Sequence, residues 1–202
     1  MSKGTLTRQA ILDHALDLAT EVGLEGLSIG RLADDLHLSK SGLFAHFGSK
    51  EALQVQVLEA ASARFVELVL KPSLSASRGE PRLRSLFEHW LRWPKTCGLR
   101  GGCLFVAVAT ELDDRPGPAR DRLVQIQKDW LDHLAHAAHI ATAEGHFRPD
   151  ADPAQFAHEL YGIMLVGHHV GRLLRDPESE RRTRTAFESL LFRFRKEPPC
   201  PN

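Results

Sequence analysis

The sequence predicts an all-α protein of about nine helices. Three observations carry that reading. Nearly every segment with a clear period has the helical one, the breaks between segments fall at Gly and Pro, and no alternating strand pattern or Asn-Gly hairpin occurs. With 202 residues, 43% hydrophobic and 26% charged, the chain can bury a core and is too apolar to be disordered.

Residues 7–22 place Ile11, Ala15, Leu18 and Val22 on one stripe that ends at Gly23. Ser28 is a good N-cap for a helix through Leu36, with Ile29, Leu32, Ala33 and Leu36 facing inward. His37 and Leu38 make the turn, and His is among the few residues enriched at positive φ. Ser39 caps a second helix to about His46, and Leu43 and Phe47, four apart, fasten it to the first. Gly48 ends that helix. Ser49 caps the next, with Glu51 in its first turn where the helix dipole favours an anion.

Residues 50–71 repeat Leu53, Val57, Ala61, Phe65 and Leu68 until Pro72 stops them. After the loop SLSASRGEP, a helix runs from Arg82 to about Trp93 and is closed by Pro94. The glycine-rich TCGLRGG leads to a short apolar helix at about 103–112, and DDRPGP breaks it. A long helix follows at about 119–144 with Leu123, Ile126, Trp130, Leu134 and Ala137 on its inner face. Gly145 and Pro149 separate it from helices at about 153–175 and 178–195, and the tail at 197–202 is expected to fray.

Two short helices across a tight turn have the geometry that sets a recognition helix in the DNA major groove. Ser39, Lys40 and Ser41 stand at the N-terminal end of the second helix, where hydroxyls reach bases or phosphates and an ammonium binds phosphate. Gly42 allows backbone to approach the sugar-phosphate wall, and Lys50 lies at a helix N-terminus suited to an anion. A helix-turn-helix can also be purely structural. Residues 1–71 set Lys3, Arg8, Arg31, Lys40, Lys50, Arg64 and Lys71 against nine acids, so any attraction to DNA must come from a local patch of Lys3, Arg8, Lys40 and Lys50.

The stretch SIGRLADDLHLSKSGLFAHFGSKE resembles the TetR family (TetR/AcrR-type) of transcriptional regulators. It does so at Ser28, Ala33, Ser39, Lys40, Leu43, His46, Phe47, Lys50, Glu51 and Leu53. It departs at Gly30, where the family often has Arg or another long side chain, at Phe44 in place of Tyr, and at His37 in place of a turn Gly. The resemblance implies a DNA-binding domain at 1–50, with helix 50–71 as connector, and a body at 51–196 for effector binding and dimerisation. It implies DNA contacts from Ser28, Arg31, Ser39, Lys40, Ser41, Gly42, Phe44, His46 and Lys50.

It also implies a small, mostly apolar effector near Trp90, Trp93, Phe105, Trp130, His133 and Tyr161, residues that serve equally as packing. The last two helices would pair with a symmetry mate through Leu160, Met164, Gly167, His168, Gly171, Phe187, Leu190, Leu191 and Phe194, all equally readable as intrachain core. The expected partners are therefore an operator duplex, a small-molecule effector and a second copy. The stretch GGCLFVAVATELDDRPGPARDRL resembles the regulatory half of one subgroup of these proteins and names no ligand.

Other patterns point to chemistry more weakly. Gly26-Leu27-Ser28-Ile29-Gly30 matches a nucleophile elbow, but that elbow needs a strand before the serine, and helices flank it here. His133, His136 and His139, with His146 nearby, would be the basis of a metal-dependent enzyme, yet the outer two lie too far round the helix for one site. No metal and no cofactor is expected. Adjacent His168 and His169 point apart.

Cys97, Cys103 and Cys200 are too few and too odd for a disulfide framework, and the first two read as small hydrophobes before they read as thiol sensors. MSKGTLTRQAILDH holds no signal-peptide run and no segment approaches a membrane span, so the cytoplasm is expected. The competing functions are an all-α metal-dependent enzyme and a helix-turn-helix module that binds only protein.

Overall fold

A computed structural model describes residues 8–196; Lys3, Cys200 and the tail at 197–202 lie outside the described residues. The helices are α1 (Arg8–Gly26), α2 (Ile29–Leu36), α3 (Lys40–Phe47), α4 (Lys50–Phe65), α5 (Lys71–Ser73), α6 (Glu80–Thr96), α7 (Leu104–Ala107), α8 (Ala109–Leu112), α9 (Pro118–Ala143), α10 (Pro153–Arg172) and α11 (Ser179–Phe194). Among the described residues the only extended pairing is an isolated bridge between Phe147 and Arg195. The all-α expectation holds.

Several boundaries differ from the sequence reading, for local reasons. α1 does break at Gly23, which takes φ 75°, but a further turn follows to Gly26. α4 passes into a π-helical segment, Val66–Leu70, and Pro72 then sits inside α5 rather than ending the helix. Pro94 lies inside α6, which runs on to Thr96 and is finished by the Cys97 amide donating to the Trp93 carbonyl at 2.9 Å. The apolar stretch at 103–112 divides into α7 and α8 at Val108, whose ψ of −1° interrupts the helix.

The backbone forms two compact units. One contains the residues to Leu68 together with Arg92–Gln127; the other contains Val69–Leu91 and the residues from Lys128. In the first, α1 packs on α4, α7 and α8, burying Ile11, Ala15, Leu18 and Ala19 together with Leu53, Val57 and Ala61. Phe65 meets the edges of Trp93 and Phe105 at ring-centroid distances of 5.3 and 6.0 Å.

In the second unit α10 packs along α11, and Phe87 of α6 stacks on Phe187 of α11 at 3.9 Å. Phe147, Phe156 and Phe194 pack mutually at 5.1 to 5.9 Å. At the edge of that core Arg84 donates to Glu80 at 2.8 Å and to Glu188 at 2.7 Å, while Arg195 donates to Glu80 at 2.8 Å.

This packing covers, within one chain, most of the residues expected to meet a symmetry mate. Leu160, Met164, Phe187, Leu190, Leu191 and Phe194 are all buried within the single chain, where α10 and α11 cover each other. Gly167 and Gly171 serve the same contact. A Cβ on Gly167 would stand 2.5 Å from Thr183 Oγ1, and one on Gly171 would stand 3.2 Å from Ser179 Oγ. Ser179 Oγ also donates to the Gly167 carbonyl at 3.0 Å. Of the nine residues assigned to a dimer interface, His168 alone is neither buried in this core nor a glycine facing it.

Candidate nucleic-acid interface

Three serines set out the head. Ser28 Oγ accepts from the Arg31 amide, Ser39 Oγ from the Gly42 amide and Ser49 Oγ from the Ala52 amide, each at 3.1 Å. Each cap satisfies one of the amides that the first helical turn leaves unpaired, so α2, α3 and α4 all start at a defined residue. Between α2 and α3, His37 adopts φ 54° and ψ 38°. That left-handed residue lets the Leu38 amide donate back to the Ala33 carbonyl at 2.9 Å, closing α2 and turning the chain into α3.

Leu32 and Ala33 of α2 and Leu43 and Phe47 of α3 are buried together against the rest of the head. Because they occupy one side of two eight-residue helices, the other side is left to solvent: Arg31, Ser39, Lys40, Ser41, Gly42, Phe44 and His46 are all exposed. Phe44 is 57% exposed, an apolar ring with no place in the core. Lys40 lies over the bare backbone of Gly30, whose hypothetical Cβ would meet Lys40 Cε at 3.6 Å, in ordinary contact. Gly30, Ser28, Arg31, Asp34, Asp35, His37 and Lys40 line an open polar groove of about 710 Å³.

Two members of the expected basic patch are otherwise engaged. Arg8 stands over the Phe47 ring at 5.7 Å and bonds Gln56. Lys50 Nζ donates to the Glu25 carbonyl at 3.0 Å and to Glu25 Oε2 at 3.1 Å. The Lys50 hydrogen bond holds the Glu25 carboxyl below its usual range, so that acid is ionised at neutral pH. Asp35, also on the α2 surface, pairs with His14 at 2.5 Å.

The aromatic residues expected near an effector divide between the units. Trp93 and Phe105 belong to the first, where Phe65 packs on both. Trp90, Trp130, His133 and Tyr161 belong to the second, where His133 stacks on Trp130 at 6.2 Å. Burial pushes the His133 pKa down, with His136 and Arg82 adding to the effect. His146 accepts from the Glu80 amide through Nδ1 at 3.3 Å, capping α6. Among the described residues no three His, Cys, Asp or Glu side chains group as a metal would require. Cys97 and Cys103 are buried and not joined in a disulfide, and burial pushes the Cys103 thiol up, opposite to what a reactive thiolate needs. No helix of the described chain is long and apolar enough to cross a membrane.

Sequence reading missed the charged residues, one acid and one base, that hold this head from outside it. Glu111 Oε2 accepts from the Leu24 amide at 3.1 Å, and its other oxygen accepts from the Glu25 amide. Arg100 donates to Asp17 through its backbone at 2.8 Å and its guanidinium at 2.6 Å. Gly23, at positive φ in the middle of an otherwise helical stretch, is a local sign of the Glu111 contact.

Two serine-capped helices joined across a left-handed residue, with one face buried and the other bare, form a helix-turn-helix. Comparison with known proteins agrees. Residues 79–187, more than half of the chain, match the family described as tetracyclin repressor-like, C-terminal domain. Residues 11–57 match the family of bacterial regulatory proteins, tetR family. The chain belongs to the TetR family.

It is 42% identical over 55 residues to the tetracycline repressor protein class C of Escherichia coli, covering 27% of this chain and 25% of that protein. It is 36% identical over 72 residues to the HTH-type transcriptional repressor AcnR of Corynebacterium glutamicum, covering 36% of this chain and 38% of that protein. The matched stretches thus span well under half the length of these relatives. In fold it is similar to a TetR-family transcriptional regulator from Cytophaga hutchinsonii, with a TM-score of 0.84 at 17% identity over 98% of this chain and 99% of that one.

Proposed function

We propose that the chain is a homodimeric transcriptional repressor that binds a palindromic operator and is released from it by a small molecule. The observation that carries the reading is the bare face of α3. Lys40, Ser41, Gly42, Phe44 and His46 stand free of the core on a helix whose opposite side, Leu43 and Phe47, is fixed. Ser39, Lys40 and Ser41 lie nearest the bases. Ser28, Arg31, Phe44, His46 and Lys50 lie nearest the backbone, with Phe44 offering an apolar ring to a sugar or a thymine methyl.

Two such helices must stand about one turn of DNA apart, roughly 34 Å, to read a half-site pair, which requires a dimer. The surface available for it is the outer side of α10 and α11. There Ile163, Val166, Val170 and Ala186 line an open groove of about 470 Å³. Val166, Leu173 and Phe192 are exposed at 63, 67 and 76%. Ile163, Val166, Val170 and Ala186, apolar side chains sharing one open groove, mark an interaction surface. The effector, bound in the body, favours a dimer whose head spacing no longer fits two half-sites.

The test is a mobility shift of the purified protein with its own upstream intergenic DNA and excess competitor, at two salt concentrations. A specific complex that weakens with salt is expected. Equal affinity for unrelated duplex, or no salt dependence, would favour the reading in which the helix-turn-helix binds only protein.

A further inference from the structure

Lys50 stands where a phosphate contact is expected, yet its amine already has a partner. Glu25 takes it twice, through the carbonyl at 3.0 Å and through Oε2 at 3.1 Å. The same carboxylate draws Arg115 to 3.5 Å and accepts from Gln54 Nε2 at 3.4 Å. Buried Gln54 is itself anchored, donating to the Leu24 carbonyl at 2.8 Å. Glu25 is therefore not a loose surface acid that happens to meet a lysine. Its carboxylate is aimed at Lys50 by a turn with fixed position.

That turn is fixed from a distance in sequence. At Gly23 the backbone leaves the helix with φ 75° and ψ 173°, so the Leu24 and Glu25 amides lose their intrahelical acceptors. The Glu111 carboxylate from α8 supplies both replacements. It fills the space a side chain would take, since a Cβ on residue 23 would stand 2.3 Å from Glu111 Oε2. One carboxylate thus positions the turn, and the turn presents a second carboxylate to the amine.

We propose that Glu25 competes with an operator phosphate for the Lys50 amine, and that Glu111 is the positioning residue that holds Glu25 in that competition. The inference rests on the DNA-binding reading above. An ammonium bound to a carboxylate is already neutralised, so on DNA it releases fewer counterions than a free one until the pair breaks. Any shift of the α8 segment that withdraws Glu111 loosens the turn and frees Lys50. The strength of one backbone contact then depends on residues far from the recognition helix.

The experiment measures the slope of log affinity against log salt on one operator duplex. It compares wild type with Glu25→Gln, Glu25→Asp, Lys50→Ala, Glu111→Gln and the double variant Glu25→Gln/Lys50→Ala. Glu25→Asp keeps the charge and shortens its reach, which separates pairing from bulk charge. Melting temperature and helicity establish that each variant is folded. Both Glu25 variants are expected to steepen the slope by up to about 0.9, and Lys50→Ala to reduce it far more in the Glu25→Gln background than in wild type. Between 50 and 200 mM salt, a full 0.9 corresponds to roughly a 3.5-fold additional loss of affinity. Glu111→Gln is expected to steepen the slope in the same direction by less.

Equal decrements from Lys50→Ala in both backgrounds, or a Glu25→Asp slope equal to wild type, would overturn the competition. A Glu111→Gln protein that binds as wild type would overturn the positioning role. If wild type forms no specific complex at all, the DNA-binding reading falls and this inference with it. A specific complex with a flat mutant cycle removes this inference alone.

Discussion

The Gly101 amide donates a 2.8 Å hydrogen bond to Thr20 Oγ1, and a Cβ on Gly101 would stand 1.9 Å from the Thr20 carbonyl oxygen. Two stretches of backbone therefore meet with no room for a side chain. Next to them Arg100 pairs with Asp17, so the connection between α6 and α7 is bolted to α1 at two successive residues. Gly101→Ala must push backbone apart and is expected to cost about 2 to 3 kcal/mol. Thr20→Val leaves the shape and strands a buried amide, at about 1 to 3 kcal/mol. Urea unfolding measures both; losses under about half a kcal/mol in each would mean the contact does not persist in solution.

The helix starts give a second prediction. Ser28→Ala and Ser39→Ala each remove a 3.1 Å cap bond and are expected to cost about 1 kcal/mol. His37→Gly goes the other way. At φ 54° a side chain is disfavoured by roughly 1 to 2 kcal/mol, partly offset by the greater unfolded-chain freedom of glycine. A gain of about 0.5 to 1 kcal/mol is expected, read as a rise in melting temperature. A loss would show that the imidazole makes a stabilising contact that outweighs the strain.

These caps were legible in the sequence because they are local. Ser three residues before the amide it caps, His at a turn and Gly after Phe47 each act within a few positions. The contacts that tie the head to α7 and α8 were not legible, because nothing in Glu111 or Arg100 distinguishes it from other surface charges until the fold brings it to α1. Leu160, Met164, Phe187 and Leu190 show the opposite limit. Helical periodicity identified their apolar face correctly, but periodicity cannot say whether α11 of the same chain or a second molecule covers it. Pro94 and Pro72 were read as stops from backbone chemistry alone, yet both stand inside helical turns.

Stability should fall with acid in two stages. Burial, chiefly, holds His133 and His168 below their ordinary pKa of 6.5, so the folded state resists their protonation. A depressed folded value means full stability above about 6.5 and a loss as pH falls toward the folded pKa. The Arg195 hydrogen bond, with help from Arg84, holds Glu80 below its ordinary 4.5 despite its burial. Its contribution is complete above about 4.5 and disappears as pH falls through the folded value. Melting temperature against pH should show both stages. His133→Phe, which can keep the stack on Trp130, should shrink the first alone, and Glu80→Gln the second alone. A profile of His133→Phe/His168→Leu with an unchanged decline near pH 6 would assign the first stage to other groups.

The surface proposed for the dimer can be separated from the core beneath it by where each variant acts. Phe187 stacks on Phe87 inside one chain, so Phe187→Ala is expected to cost about 3 to 5 kcal/mol of stability. Val166 and Phe192 are exposed and hold no core together, so Val166→Arg/Phe192→Asp should leave a folded chain with far-ultraviolet helicity intact. A two-fold interface uses the same patch on both copies. An Arg at 166, in a groove that already contains Arg182, would then meet like charge at the moment of pairing. Sedimentation equilibrium is expected to shift the double variant toward monomer, and binding to a two-half-site duplex to fall while binding to a single half-site is kept. A dimer undisturbed by both substitutions would place the interface elsewhere than the outer side of α10 and α11, and with it the spacing at which the two copies of α3 are presented to DNA.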